Sequence, residues 1–413
     1  MATLACRGGQ PVRTEPFPGW PVWDDKEREA LLGVLESGKW WYGEKIREFE
    51  EKFAAFQDAK YGVLTSTGTA ALEASLLALG IGAGDEVIVP PYTFLATASA
   101  VLTVNAVPIF VDIDANSTNI DPELIEPAIT DKTKAIIPVH FGGYVADMDR
   151  INEIARKHNL HVIEDACHSW GSRWNGKGTG ALGDCGVFSF QMSKNITSAE
   201  GGILLTDDEA IAETSRSYTN CGRGKGSPWY THFVVGGNLR LTEFQASILL
   251  AQLTRLEQQT LTRQENAEFL NAELEKIDGI ITQKNDPRMT RRAYHLYMLR
   301  YDRDAFGGPT REQFLEALTA EGVPASSGYA HPLYKNPVFQ RPIADGPESC
   351  PLSCPFYGRK VDYNAMPCPV CERLCTEEAI WIEHPVLLGT RNDMEDIVAA
   401  FRKVRDNVAE LLA

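Results

Sequence analysis

From residue 60 onward, short apolar runs alternate with amphipathic stretches. The strand-like runs are Tyr61–Thr65, Glu86–Pro90, Pro108–Ile113, Ala135–His140, His161–Asp165, Gly186–Phe190 and Gly202–Thr206. Between the early ones lie helix-like segments at Thr69–Gly80, Phe94–Val104, Pro122–Ile129 and Met148–Asn159. Strands that alternate with helices predict an α/β fold whose parallel or mostly parallel sheet is covered on both faces. Val87-Ile88-Val89 and Ile136-Ile137-Pro138-Val139 are continuous apolar runs, as strands buried on both sides should be.

A long helical pattern follows from about Thr242 to Ile277, with Phe244, Ile248, Leu249, Leu253 and Leu256 at helical spacing. Such a helix commonly joins a large domain to a smaller C-terminal one. Beyond it, Tyr294–Tyr301 reads as a strand, Arg311–Glu321 as a helix, 342–370 as loop, and Met394–Leu412 as a last amphipathic helix. A soft prior of about 100–200 residues per domain suggests two or three domains for 413 residues. The expected division is 1–265, an N-terminal segment with the large domain, and 266–413, the small one.

Composition narrows the class of partner. The formal charge of −16 argues against nucleic acid or an anionic membrane surface, both of which need a basic face. No apolar stretch approaches the roughly 20 residues of a membrane helix, and the N-terminus shows no signal-peptide pattern. Cys6, Cys167, Cys185 and Cys221 are scattered singly, which reads as reduced thiols in a cytoplasmic protein. The other five crowd between Cys350 and Cys375. Their spacing, Cys350-x3-Cys354 and Cys368-x2-Cys371-x3-Cys375, is compatible with a structural zinc site.

Three strand ends carry candidate chemistry. In Phe188-Ser189-Phe190-Gln191-Met192-Ser193-Lys194 a lysine sits just past a buried strand, in a turn that closes on Glu200-Gly201-Gly202. A desolvated lysine has a lowered pKa, which frees its amine to condense with an aldehyde. Asp165 ends the run Val162-Ile163-Glu164-Asp165, where it can pair with a protonated pyridine nitrogen; alone it also reads as a turn or helix cap. Thr65-Ser66-Thr67-Gly68-Thr69 runs from strand through a Gly/Thr turn into a helix, whose free N–H groups can bind phosphate. Thr67 could equally be a plain N-cap. Each signal is weak alone, but a phosphate cup, a ring partner and a lysine in this order form a strong set.

On these residues the chain resembles the fold-type I aminotransferases that use pyridoxal 5′-phosphate (PLP), and within them the DegT/DnrJ/StrS-type sugar aminotransferases. The resemblance extends from Gly38-Lys39-Trp40-Trp41 and Phe49-Glu50-Glu51-Lys52-Phe53 to the C-terminal helix. It is carried by Ile88-Val89-Pro90-Pro91-Tyr92-Thr93-Phe94, Glu164-Asp165-Ala166, Ser189 through Lys194, Glu200-Gly201-Gly202 and Gly237-Asn238-Leu239-Arg240-Leu241-Thr242-Glu243-Phe244-Gln245-Ala246. Glutamine:scyllo-inosose (cyclitol) aminotransferases and 3-amino-5-hydroxybenzoate synthases are particularly similar. The cysteine stretch Cys368-Pro369-Val370-Cys371-Glu372-Arg373 resembles a family segment that holds no metal, so none is expected.

The resemblance implies a large domain with a mostly parallel seven-stranded sheet and a smaller α/β C-terminal domain. It implies that Lys194 forms the Schiff base and that Asp165 pairs with the pyridinium nitrogen. Gly68, Thr69 and Ser189 would hold the phosphate, Phe94 would stack on the ring, and His168 would lie beside the ring hydroxyl. Asn238 would reach the phosphate of the other subunit, which makes the enzyme a homodimer with shared active sites. His140, Tyr329, His331 and His384 match positions that line the active-site mouth in relatives. The implied reaction moves an amino group from glutamine or glutamate to a keto-sugar or keto-cyclitol. A dehydrating or aromatising enzyme of the aminohydroxybenzoate synthase type, and a non-catalytic PLP-binding regulator, stay open as alternatives. Retention of Lys194 argues against the family's sugar 3-dehydratases, in which His replaces it. Where the family usually has Gly, before Glu200, this chain has Ala199.

Overall fold

The computed structural model describes residues 3–226, 228–340, 350–352 and 355–412. Its large sheet consists of β1 (Tyr61–Thr65), β2 (Glu86–Val89), β3 (Val107–Phe110), β4 (Thr133–Ile136), β5 (His161–Asp165), β6 (Cys185–Ser189) and β7 (Gly202–Thr206). The spatial order is β1-β7-β6-β5-β4-β2-β3. Strands β3, β2, β4, β5 and β6 run parallel, whereas β7 is antiparallel to both β6 and β1. The reversal has a local cause: the connection from Ser189 to Gly202 contains no helix, so the chain folds straight back beside the strand it left. That connection carries Lys194.

Both faces of the sheet are covered. Val87, Val89, Ala135 and Ile137 enter one apolar cluster, and Ile88 and Ile136, which point the other way, enter another. Helix α1 (Glu44–Phe56) packs Phe49 and Phe53 against Phe188 and Phe190 of the lysine-bearing segment. Helices α2 (Gly68–Ala78) and α3 (Ala96–Thr103) begin beside the ends of β1 and β2.

The long helix α4 (Glu243–Leu274) is divided between cores: Leu249 and Leu256 pack with the large sheet, and Ala267, Leu270 and Leu274 with the C-terminal region. There the antiparallel strands Ile280–Thr282, Leu296–Tyr301, Ala379–Glu383 and Ala325–Ser326 form a second sheet. The N-terminal residue Leu4 also joins this second core rather than the first.

Two local expectations are corrected. Pro122–Ile129 is a 3-10 turn (Pro122–Leu124) followed by one α turn (Ile125–Ala128), because Pro127 cannot donate and blocks a continuous helix. The last helix stops at Asp406 and restarts at Ala409; Asn407 turns its side-chain amide back onto the Lys403 carbonyl at 2.8 Å. Within 342–370 the described residues are mostly loop, with a 3-10 turn at Tyr363–Ala365 and a short helix starting at Pro369. The loop is pinned to the large domain: the Tyr357 and Tyr363 hydroxyls donate to Glu86 (2.7 Å) and to the Pro108 carbonyl (3.1 Å). Cys354 lies outside the described residues, and among the described ones no three His, Cys, Asp or Glu side chains are grouped to hold a metal.

One carboxylate anchors the start of α1. The N-cap position is Gly43, which has no side chain to offer, and Glu243 accepts instead from the backbone N–H groups of Gly43 (2.9 Å), Lys45 (3.0 Å) and Ile46 (3.0 Å). Replacing Glu243 by Ala should leave those donors unpaired and cost about 3 kcal/mol of unfolding free energy. Urea denaturation read against the parent protein checks this; a loss under about 1 kcal/mol would show that water caps the helix as well.

Candidate active site

The ends of β1, β5 and β6 meet at a cavity of about 400 Å³. Its walls include Gly68, Thr69, Phe94, Asp165, His168, Ser189 and Lys194, brought together from separate strand ends. At one end, the Thr67 hydroxyl caps α2 by accepting from Ala70 N–H at 3.0 Å. The N–H groups of Gly68 and Thr69 have no acceptor within the helix and are available to an anion. A Cβ on Gly68 would stand 2.9 Å from Ser189 Cβ and 3.2 Å from Cys167 Sγ, so a side chain there would fill the cup.

Asp165 is nearly fully buried and held on both oxygens. Oδ2 accepts from the Thr97 hydroxyl at 2.7 Å, and Oδ1 from Cys167 N–H at 3.2 Å. Thr97 is itself bonded to Thr93 at 2.9 Å, so α3 fixes the carboxylate's rotamer. Lys194 sits in the turn after β6, its own N–H bonded to the Gln191 carbonyl at 2.9 Å. Burial lowers its pKa, although Cys167 and Asp165 oppose the shift. Burial, with the Asp165 charge, pushes the Cys167 thiol well up, so it stays protonated.

His168 accepts at Nδ1 from Gly142 N–H at 3.3 Å. Burial, with Lys194 nearby, holds its pKa well below the usual imidazole value. The ring is therefore neutral, with its proton on Nε2 as a donor. Phe94 lines the same cavity and is 62% exposed, an aromatic face left open at the entrance.

A second pocket of about 200 Å³ adjoins the first through Phe94, His168, Ser193 and Lys194. Tyr329 and His384 lie in its wall, as expected of mouth residues. His140 does not reach either cavity. Its ring is wholly buried, with Nε2 against Glu164 at 2.9 Å and Nδ1 accepting from Ala146 N–H at 3.1 Å, so both nitrogens are committed to structure. His331 is exposed and bonded to Asn336 at 3.2 Å, also outside both pockets. Asn238 is exposed on the surface and does not line the cavity of its own chain.

The pocket also contains residues that local sequence did not single out. His295 lies against His168 with ring centres 4.2 Å apart and planes tilted by 39°, and Trp381 packs edge-on to Tyr92 and Tyr329. Trp20 meets His384 edge-to-face at 4.6 Å. Thr97 could have been noticed, since Thr93-x3-Thr97 places two hydroxyls one turn apart after Pro90-Pro91.

A cavity lined by a helix N-terminus, a fixed carboxylate and a desolvated lysine fits PLP, and the fold is that of a PLP-dependent aminotransferase. The DegT/DnrJ/EryC1/StrS aminotransferase family matches residues 21–401, and the chain belongs to it. A protein of Streptoalloteichus tenebrarius, provisionally named an L-glutamine:3-amino-2,3-dideoxy-scyllo-inosose aminotransferase, is 40% identical over 99% of each chain. The L-glutamine:scyllo-inosose aminotransferase of Streptomyces griseus is 38% identical, again over 99% of each. Among solved structures, a 3-amino-5-hydroxybenzoic acid synthase superposes with a TM-score of 0.85 at 34% identity, covering 96% of this chain and all of the other. No helix among the described residues is long and apolar enough to cross a membrane.

Ala199 departs from the family's usual glycine, yet the backbone keeps the left-handed conformation that glycine favours, with φ of 70°. An L side chain there costs of order 1 kcal/mol. Replacing Ala199 by Gly should therefore raise unfolding free energy by about 1 kcal/mol, less the entropy glycine adds to the unfolded chain. A thermal melt that moves down would show that the Ala methyl earns more in packing than it loses in strain.

Proposed function

We propose that this enzyme transfers an amino group from glutamine to a keto-cyclitol, with Lys194 and Asp165 at the reacting centre. The observation that carries the reading is the meeting of the Lys194 amine, the Asp165 carboxylate and the N-terminus of α2 in one cavity. Full-length similarity to glutamine:inosose aminotransferases supports the choice of donor and acceptor.

PLP, when bound, supplies an electron sink for the carbon that loses its proton. The N–H groups of Gly68 and Thr69 and the Ser189 hydroxyl would bind the phosphate. Asp165 would hold a proton at the pyridine nitrogen, and His168 would donate to the ring oxygen. Phe94 would shield the ring from water. Lys194 would hold the cofactor through its amine, and its lowered pKa would let that amine, when free, take up and return the proton at the substrate carbon.

We infer further that two copies of the chain share these sites. Trp229, Tyr230 and Val235 are 77%, 78% and 97% exposed on the segment leading to Asn238, a run of apolar surface that a second copy would cover. On this reading Asn238 serves the neighbouring phosphate. Sedimentation of the purified protein should give a dimer, and a stable monomer would remove this part of the reading.

Replacing Lys194 by Ala should lower turnover by at least about 10³-fold, since the proton shuttle and the cofactor's anchor go together. Normal multiple turnovers in that variant would end the assignment. In the parent enzyme, glutamine should bleach the visible band of the lysine-bound cofactor and a keto-cyclitol should restore it. Glutamate bleaching it equally well would widen the donor; no response to either would refute amino transfer.

A further inference from the structure

The strand Ala379–Glu383 separates two environments. Ile380 and Ile382 point into the core of the C-terminal region, so Trp381 and Glu383 point the other way, into the pocket beside Lys194. Trp381 is fixed there by its N–H, which donates to the Tyr92 hydroxyl at 3.1 Å. Glu383 is exposed, and its carboxylate makes no ion pair or hydrogen bond among the described residues.

The deeper wall is His295, whose tautomer is set by its neighbour. Asn195 Nδ2 donates to the Ala293 carbonyl at 3.0 Å, so its Oδ1 is the acceptor for His295 Nδ1–H at 2.9 Å. Nε2 of His295 is left as a lone pair in the pocket wall. Burial holds the ring neutral, and the same is true of His384 beside it. Among the described residues Lys194 is the one cation lining this pocket, and burial, which lowers its pKa, favours its neutral amine when it is free. The His168 N–H is directed to the cofactor on the reading above, so what a substrate meets is one carboxylate, the Tyr329 hydroxyl and imidazole lone pairs. A wall of that kind attracts an ammonium group and repels a phosphate or carboxylate.

We propose that this pocket selects a keto-cyclitol that already bears an ammonium group, with the Glu383 carboxylate as its counter-charge and His295 Nε2 as a further acceptor. This rests on the keto-cyclitol reading above and narrows it. A relative at 40% identity is provisionally named for an amino-bearing inosose, which agrees with that narrowing.

The test compares two acceptors, an amino-bearing keto-cyclitol and the same ring with a hydroxyl in place of the amine. kcat/KM is measured with the holoenzyme. Equilibrium binding is measured on enzyme whose cofactor has been fixed to Lys194 by borohydride reduction, which cannot turn over. The parent enzyme should prefer the amino-bearing ligand by about tenfold or more in both measurements. Glu383→Gln should bring that ratio to within about threefold of unity, Glu383→Lys should take it below unity, and Glu383→Asp should restore a preference. Absence of a preference in the parent enzyme, or an equal loss for both ligands in Glu383→Gln, overturns the proposal. Failure to aminate either ring while glutamine still discharges the cofactor brings down the keto-cyclitol reading itself.

Discussion

Glu164 is a carboxylate without access to solvent, and the site depends on how it is satisfied. It accepts from Gly180 N–H at 2.7 Å, Leu182 N–H at 2.6 Å, Gly183 N–H at 2.8 Å and from His140 at 2.9 Å. A buried carboxylate with fewer donors would cost several kcal/mol, so the loop before β6 and the chain after β4 are both pinned to the end of β5. The next residue in the strand is Asp165, which alternation turns to the opposite face. The Asp165 carboxylate therefore inherits its position from a structural one. Its backbone is tied again to the β4 side, where Asp165 N–H donates to the Pro138 carbonyl and His140 N–H to the Asp165 carbonyl.

The same interaction explains which parts of the site could be read from sequence. Lys194, Asp165, Gly68 and Ser189 stand at the ends of apolar runs, and a strand followed by a turn is a local pattern. His140 also ends such a run, and nothing local distinguishes it from a mouth residue. Its fate is decided by the parallel register that sets Ala135 opposite His161 and Ile136 opposite Val162, which brings His140 to Glu164, 24 positions on. His295 fails in the other direction. Within Tyr294–Tyr301 it reads as one polar residue in a buried strand, and only Asn195, 100 positions earlier, shows that its Nδ1 is tied and its ring fixed in the pocket wall.

The fold was legible to the same depth. The alternation of apolar runs predicts the sheet and its helices, because burial on two faces writes a continuous apolar pattern into each strand. The reversal at β7 is not in that pattern, since β7 is as apolar as its parallel neighbours. It follows from the missing helix between Ser189 and Gly202, a feature visible in the sequence as the Ser/Thr/Gly-rich stretch around Lys194. The lysine and the reversal are thus one feature: a connection too irregular for a helix turns the chain back and sets the lysine in the wall of the cavity.

Behind that turn the protein places rings rather than charges. His168 lies against His295 at 4.2 Å, His295 against His384 at 5.5 Å, and His384 against Trp20 at 4.6 Å. The buried Arg263 guanidinium stands 5.8 Å from the Trp20 indole, its pKa brought down to about 9 by desolvation, and its charge adds to the burial that lowers His384 and His295. Three adjacent buried imidazoles cannot all be positively charged, and burial holds each well below its ordinary pKa. The wall next to Lys194 therefore offers donors and lone pairs without adding fixed charge. Asp165 lines the cavity that holds Lys194, and Glu383 lines the pocket beside it. On the reading proposed above, the first carboxylate would serve the electron sink while the second reads the substrate.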